Sequence, residues 1–121
     1  MAISKILVVD DSPADLINLR EAVAGLGAHI VTATNGQEAV DKAKSEMPDV
    51  ILMDIVMDGL DGYGACRQIT RDPATSNIPV IFVSSKNQRA DKMWAEKQGS
   101  KGMITKPYQK EDVLQEIRKV S

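Results

Sequence analysis

The feature that most constrains this sequence is a run of four apolar residues, Val50–Met53, that ends abruptly at the carboxylate of Asp54. Such short, uninterrupted apolar runs are typical of strands buried on both faces, at the centre of a parallel sheet covered by helices. A charged side chain on such a strand belongs at its end. Because parallel strands end at the same edge of the sheet, we expect Asp54 in the crevice where open α/β sheets bind ligands.

The length of 121 residues is the usual size of one domain, and we predict a single domain over residues 1–121 without an output domain. Fifteen basic and seventeen acidic residues give a formal net charge of -2, which provides no general attraction to nucleic acid or anionic lipid. Cys66 is the single cysteine and cannot form an internal disulfide, and residues 1–4 lack the apolar region of a signal peptide. We therefore expect a cytoplasmic monomer that contacts neither nucleic acid nor membrane.

Short apolar strands alternate with helical patterns five times along the chain. The predicted strands cover residues 5–9, 29–33, 50–53, 80–83 and 102–105, and the predicted helices cover residues 13–26, 36–47, 62–70, 88–98 and 111–120. This alternation predicts an α/β fold with a doubly wound, five-stranded parallel sheet and five helices, as in flavodoxin-like proteins. Right-handed crossovers with one reversal of strand order place helices on both faces of the sheet, and we predict the strand order 2-1-3-4-5.

Acidic residues follow two of these strands. Asp10 and Asp11 come directly after the first strand, and the predicted order places its end beside the end of the third, where Asp54 lies. Three clustered carboxylates repel each other and raise one another's pKa unless a cation compensates them. Oxygen ligands favour Mg²⁺, which often shares its coordination with phosphate oxygens. The cluster therefore predicts a magnesium site and phosphoryl chemistry.

The ends of the last two strands supply further groups for this chemistry. Ser84 follows the fourth strand, and Lys106 follows the fifth, directly before Pro107. An aspartate can itself be the nucleophile in phosphoryl transfer, where catalysis rests on neutralising the oxygens of the transferred group. We therefore assign Asp54 as the acceptor, Lys106 as a fixed cation and Ser84 as a hydroxyl donor.

This set of strand-end residues resembles the receiver domain of two-component response regulators, the CheY-like fold. The resemblance covers nearly the whole chain and implies that Asp54 accepts phosphate from a histidine kinase or its phosphotransfer domain. It implies that Asp10, Asp11, Asp54 and the backbone carbonyl of Val56 bind Mg²⁺. It also implies that Ser84 and Lys106 respond to the phosphoryl group, with self-phosphorylation and autodephosphorylation but no enzymatic turnover of another substrate.

Three segments are also similar to the small twitching-motility regulators of type IV pilus systems, of the PilG and PilH type. They are residues 54–57 (DIVM), 75–80 (TSNIPV) and 91–99 (DKMWAEKQG). This resemblance implies a stand-alone regulator whose partner is a downstream motility protein. By family resemblance the signal leaves through the fourth and fifth helices and the strand between them, a surface that includes Trp94, Met103 and Tyr108.

Two positions depart from the wider receiver pattern. Many receivers have a proline where this chain has Asp58, and many have an aromatic residue where it has Met103. A thioether side chain is more flexible than a ring, so Met103 leaves open how the switch is read out.

Other interpretations of these residues stay open at this stage. Taken singly, Asp10 is better explained as a helix cap and Asp54 as a turn residue, and only the set of three acids favours a site. Lys106 taken alone is explained equally well as a surface lysine paired with acids. A phosphatase with an aspartyl nucleophile requires a second acid two residues from the first, whereas Asp10 and Asp11 are adjacent. A flavin-binding protein of the same fold requires a phosphate-binding loop, which these acids would repel. A phosphate sink for a kinase shared with another regulator is the alternative role.

Overall fold

The computed structural model describes residues 3–86 and 88–121, so the first two of the four residues inspected for a signal peptide lie outside the described residues. The helices are 9 to 11 residues long, and none in the described part of the chain is long and apolar enough to cross a bilayer.

Strands and helices alternate along the chain as β1 (Lys5–Val9), α1 (Pro13–Val23), β2 (His29–Ala33), α2 (Gly36–Glu46), β3 (Val50–Met53), α3 (Gly62–Arg71), β4 (Val80–Ser84), α4 (Arg89–Lys97), β5 (Gly102–Thr105) and α5 (Lys110–Val120).

The five strands form one parallel sheet in the order β2-β1-β3-β4-β5, which confirms the predicted fold class and strand order. Val9 at the end of β1 pairs in register with Met53 at the end of β3. Met53 in turn pairs with Phe82 in β4. Strands β1 and β3 therefore end level with each other, and the residues that follow them lie side by side.

The continuous apolar runs have a structural explanation in the two cores of the molecule. Residues at alternate positions of β1, β3 and β4 point to opposite faces of the sheet, and helices cover both faces. Leu7, Ile51 and Phe82 contribute to the core on the side of α2 and α3. Leu52 and Ile81 contribute to the core on the side of α1 and α5. Neither face of the central strands tolerates a polar residue, so polar side chains are confined to the strand ends.

Helix α1 begins as predicted and ends earlier than predicted. Pro13 occupies its first turn, and the Ser12 side chain caps it by accepting a hydrogen bond from the backbone N–H of Asp15 at 3.3 Å. The α-helix ends at Val23, and residues up to the predicted end form a separate 3-10 turn, Ala24–Leu26. Gly27 follows with φ of 72°, a left-handed conformation that ends helices and that glycine adopts without strain.

Candidate functional site

Asp54 lies at the centre of the sheet's C-terminal edge, directly after β3. Its backbone N–H donates to the carbonyl oxygen of Val9 at 3.0 Å, which ties it to the end of β1. The residue is only 7% exposed, and its Oδ1 accepts a hydrogen bond from the Ile55 N–H at 2.8 Å. Its Oδ2 lies 3.7 Å from Lys106 Nζ, an ion-pair distance beyond that of a hydrogen bond. One carboxylate oxygen is therefore held by the backbone, and the other faces the lysine.

The three predicted acidic ligands are brought together. One oxygen each from Asp10, Asp11 and Asp54 can be chosen so that all three lie within 4.8 Å of one another. Asp10 and Asp54 are buried, whereas Asp11 is exposed at the rim. A group of hard carboxylate oxygens with one open side fits Mg²⁺, which keeps several waters and rarely takes an all-protein cage. The donor set thus fits the predicted ion.

Asp10 serves two neighbours at once. Its Oδ1 accepts a hydrogen bond from the Ser12 N–H at 2.9 Å, and its Oδ2 accepts one from Lys106 Nζ at 2.9 Å. The interpretation of Asp10 as merely the cap of the first helix is wrong, because Ser12 supplies the capping side chain. Asp10 instead joins the start of that helix to the charged cluster.

Lys106 reaches into this cluster from the edge of the sheet. It follows β5, and its N–H donates to the carbonyl of Ser84 at 2.9 Å. Its side chain is 19% exposed, and Nζ forms ion pairs with Asp10 Oδ2 at 2.9 Å and with Asp15 Oδ2 at 3.1 Å. The interpretation of Lys106 as an ordinary surface lysine does not fit this burial or its three carboxylate neighbours.

Burial and charge act in opposite directions on the pKa values of this cluster. Burial raises the pKa of Asp54, the Lys106 ammonium opposes that rise, and the charges of Asp10 and Asp11 add to it. Burial works to lower the pKa of Lys106, but its hydrogen bonds with Asp10 and Asp15, together with nearby Asp54, raise it overall. The lysine therefore stays protonated, while ionised Asp54 remains in an unfavourable environment.

Ser84 occupies the end of β4, as predicted, and is 1% exposed. Its Oγ accepts a hydrogen bond from the Lys86 N–H at 3.2 Å. Its backbone carbonyl is the acceptor for the Lys106 N–H, so the two residues assigned to the phosphoryl response are hydrogen-bonded neighbours. The ends of β4 and β5 are therefore joined next to the acidic cluster.

The residues of the predicted switch surface differ in their exposure. Trp94 on α4 is 48% exposed and Met93 beside it is 53% exposed, so both side chains face solvent. The Trp94 ring packs edge-on against Tyr63, with centroids 6.4 Å apart. Met103 and Tyr108 are half-buried and pack against the two opposite cores. The side chain of Val56, in the loop after Asp54, is 58% exposed.

Asp15 is the residue of the cluster that sequence reasoning missed. It lies in the first turn of α1, where an acidic residue is explained by the helix dipole and attracts no further attention. Its ion pair with Lys106 joins residues 91 positions apart. A signal existed in its position one helical turn after the Asp10-Asp11 pair, on the helix that starts at the same sheet edge.

Comparisons with known proteins agree with this geometry. Residues 6–118 match the response regulator receiver domain. The chain is 45% identical to the protein PilH of Pseudomonas aeruginosa over 117 residues, which cover 97% of each chain. The match confirms the resemblance to receiver domains and the similarity to a PilH-type protein.

Solved structures agree as well. The chemotaxis protein CheY4 of Vibrio cholerae superposes with a TM-score of 0.91 at 25% identity, covering 99% of this chain and 100% of that one. The receiver domain of a sensor histidine kinase from Pseudomonas aeruginosa, which has a magnesium ion coordinated in its active-site cleft, superposes with a TM-score of 0.88. That pair is 25% identical, over 98% of this chain and 97% of the other.

Proposed function

Since the chain belongs to the receiver domain family of response regulators, we propose that it accepts a phosphoryl group on Asp54 and thereby switches a protein-binding surface. The observation that carries this proposal is the environment of Asp54. It is a buried carboxylate with one oxygen held by the backbone and the other facing Lys106, beside two further acids at the same sheet edge. A strand-end carboxylate with a purely structural role does not require a lysine and two further acids beside it.

In the proposed transfer, an Asp54 carboxylate oxygen attacks the phosphorus of a phosphohistidine. The new P–O bond forms as the P–N bond breaks, and the departing imidazole keeps the bonding electron pair and takes up a proton from solvent. Asp10, Asp11, Asp54 and the backbone carbonyl of Val56 would hold Mg²⁺, which would supply positive charge for the oxygens of the transferred group. Lys106 offers a second positive charge, and the Ser84 hydroxyl offers a hydrogen bond.

The switch follows from a change of partner at Lys106 and Ser84. Before transfer, Lys106 pairs with carboxylates and the Ser84 hydroxyl accepts from the backbone of Lys86. A phosphoryl group on Asp54 attracts both side chains, and their movement biases β4, β5 and the adjoining helices toward a second arrangement. Met103, Trp94 and Tyr108 lie on or beside these elements and form the proposed output surface.

We assign the partners in this proposal from the chain's similarity to PilH. The donor is a histidine kinase or its phosphotransfer domain, and the target is a protein of type IV pilus twitching motility, in the cytoplasm. The 45% identity to PilH over nearly its full length supports this assignment. The protein acts as a stoichiometric switch and has no other substrate to turn over.

The test is phosphoryl labelling of the Asp54→Asn variant, with acetyl phosphate and with the phosphotransfer domain of a pilus-associated kinase as donors, each with Mg²⁺. Asp49→Asn is the matched control, because it makes the same change at the opposite end of β3. We expect the control to be labelled like the wild type and Asp54→Asn to remain unlabelled. Labelling of Asp54→Asn at full stoichiometry would falsify the assignment.

A further inference from the structure

The ammonium group of Lys106 lies closer to two other carboxylates than to Asp54, the proposed phosphoryl acceptor. Its Nζ is 2.9 Å from Asp10 Oδ2 and 3.1 Å from Asp15 Oδ2, both hydrogen-bond distances, but 3.7 Å from Asp54 Oδ2. We propose that Asp15 is a positioning residue that holds Lys106 in its resting place and thereby opposes the switched state. This inference rests on the proposed function, because it concerns how Lys106 is released toward a phosphoryl group.

The position of Asp15 is well defined by α1. Its backbone N–H donates to the Ser12 side chain, and the helix is anchored to the core by Leu19 and Val23, which are completely buried. Side chains in a helix lean toward its N-terminus, which here lies at the C-terminal edge of the sheet. The Asp15 carboxylate therefore faces the end of β5 without any movement of the backbone.

Asp15 differs from the other resting partner of Lys106. Asp10 belongs to the group of acids that fits a divalent ion, whereas Asp15 is not part of that group. The Asp15 side chain is 41% exposed, so its pair with Lys106 is of moderate strength and can be broken. Asp15 can therefore hold Lys106 in the resting state, as a latch, and still release it when Lys106 moves.

The consequence is a competition for one ammonium group. When Lys106 moves to a phosphoryl group on Asp54, it gives up Asp15, and the lost ion pair subtracts from the favourable free energy of the switched state. Asn at position 15 keeps the size of the side chain and removes its charge. The switched state of Asp15→Asn should therefore form more readily than that of the wild type.

The experiment measures the affinity of the full chain for beryllofluoride, which mimics a phosphoryl group on a carboxylate, by calorimetry at saturating Mg²⁺. We expect Asp15→Asn to bind it roughly two- to fivefold more tightly than the wild type, the range given by a partly exposed ion pair. The same substitution in a Lys106→Met background should have no effect on affinity, because the partner through which Asp15 acts is gone.

Two further results separate this role from simpler ones. Glu21→Gln removes the same charge from an exposed position on the same helix and should leave affinity unchanged, since Glu21 forms no ion pair with Lys106 within the part of the chain that is described. If Asp15 only stabilises the start of α1, its substitution lowers the melting temperature and leaves affinity unchanged, which overturns the proposal.

The remaining outcomes are also decisive. Weaker binding by Asp15→Asn, an equal gain in Glu21→Gln, or a gain that persists in the Lys106→Met background overturns the proposed latch. Wild-type protein that fails to bind beryllofluoride contradicts the proposed function itself. Wild-type binding that depends on Asp54, with no effect of Asp15→Asn, defeats the latch alone.

Discussion

Strand β3 is flanked by an aspartate at each end, and the two aspartates have opposite environments. Asp49 precedes the strand, at the N-terminal edge of the sheet, and Asp54 follows it at the C-terminal edge. Hydrogen bonds from the backbone and side chain of Ser4 and the backbone of Lys5 lower the pKa of Asp49. Burial raises the pKa of Asp54. The carboxylate anion is thus stabilised at the residue before β3 and destabilised at the residue after it.

The difference lies in the groups that each carboxylate meets. Asp49 Oδ2 accepts three hydrogen bonds, from Ser4 N, Ser4 Oγ and Lys5 N, at 2.8 to 2.9 Å. These contacts attach the start of β1 to the start of β3. Among the described residues, Asp54 accepts one hydrogen bond, from Ile55, and lies beside two other acids, with the Lys106 ammonium 3.7 Å away. A carboxylate that satisfies the backbone contributes to stability, whereas one left short of donors remains available for chemistry.

Among the substitutions that test this comparison, Gly62→Ala is expected to change the free energy of unfolding most. A Cβ at Gly62 would lie 2.2 Å from the carbonyl oxygen of Asp54 and 2.8 Å from the Cα of Ile55. Both neighbours are backbone atoms, so the loop that carries Asp54 must shift. We expect a loss of about 3 kcal/mol in the free energy of unfolding, measured by urea denaturation, together with slower phosphoryl labelling.

Gly25→Ala provides the control for this substitution, because no heavy atom of the described residues, apart from those of Gly25 and its chain neighbours, lies within 4 Å of the added Cβ. Its stability should stay within about 0.5 kcal/mol of the wild type. If Gly62→Ala is as stable and as readily labelled as this control, the close approach at Asp54 has no structural importance.

Asp49→Ala is expected to have the next largest effect. It removes an acceptor of three hydrogen bonds, and we expect a loss of about 2 kcal/mol in the free energy of unfolding. The loss is smaller than for three fully buried hydrogen bonds, because Asp49 is partly exposed to solvent. Because the folded-state pKa of Asp49 is lowered, its ionic contribution is present above the unfolded-state pKa and disappears as the pH falls through the folded value. The penalty of the variant should therefore shrink in acid, and a pH-independent penalty would show that the charge is unimportant.

Asp54→Asn is expected to have the smallest effect and the opposite sign. In EDTA at pH 7, it should raise the free energy of unfolding by about 1 kcal/mol, since a buried charge beside Asp10 and Asp11 is removed. The folded-state pKa of Asp54 is raised, so its ionisation costs nothing below the unfolded-state pKa, and the cost appears as the pH rises through the folded value. The stabilisation should consequently grow from pH 4 to pH 7 in thermal unfolding. If the variant is less stable than the wild type at pH 7, the Asp54 anion is not unfavourable in the folded state, and Asp49 and Asp54 do not differ as proposed.

Much of the fold and of the site could be predicted because both follow from local patterns. The four apolar residues of β3 require burial on both faces, and the alternation of strands and helices leaves few topologies. Once the strand order is known, Asp10, Asp11 and Asp54 must meet. The end of α1 was harder to predict, because the glycines at positions 25 and 27 permit either a continued helix or the observed 3-10 turn.

Taken alone, the sequence determined which strands are buried, where polar side chains must lie and which acids converge, because burial and chain connectivity act through residue type and spacing. Only the tertiary structure decided that Lys106 rests between Asp10 and Asp15, and that Gly62 must lack a side chain beside Asp54. These contacts join residues that are distant or unpatterned in sequence. Their distances depend on how packed helices and strands orient individual side chains, and no local pattern specifies that orientation.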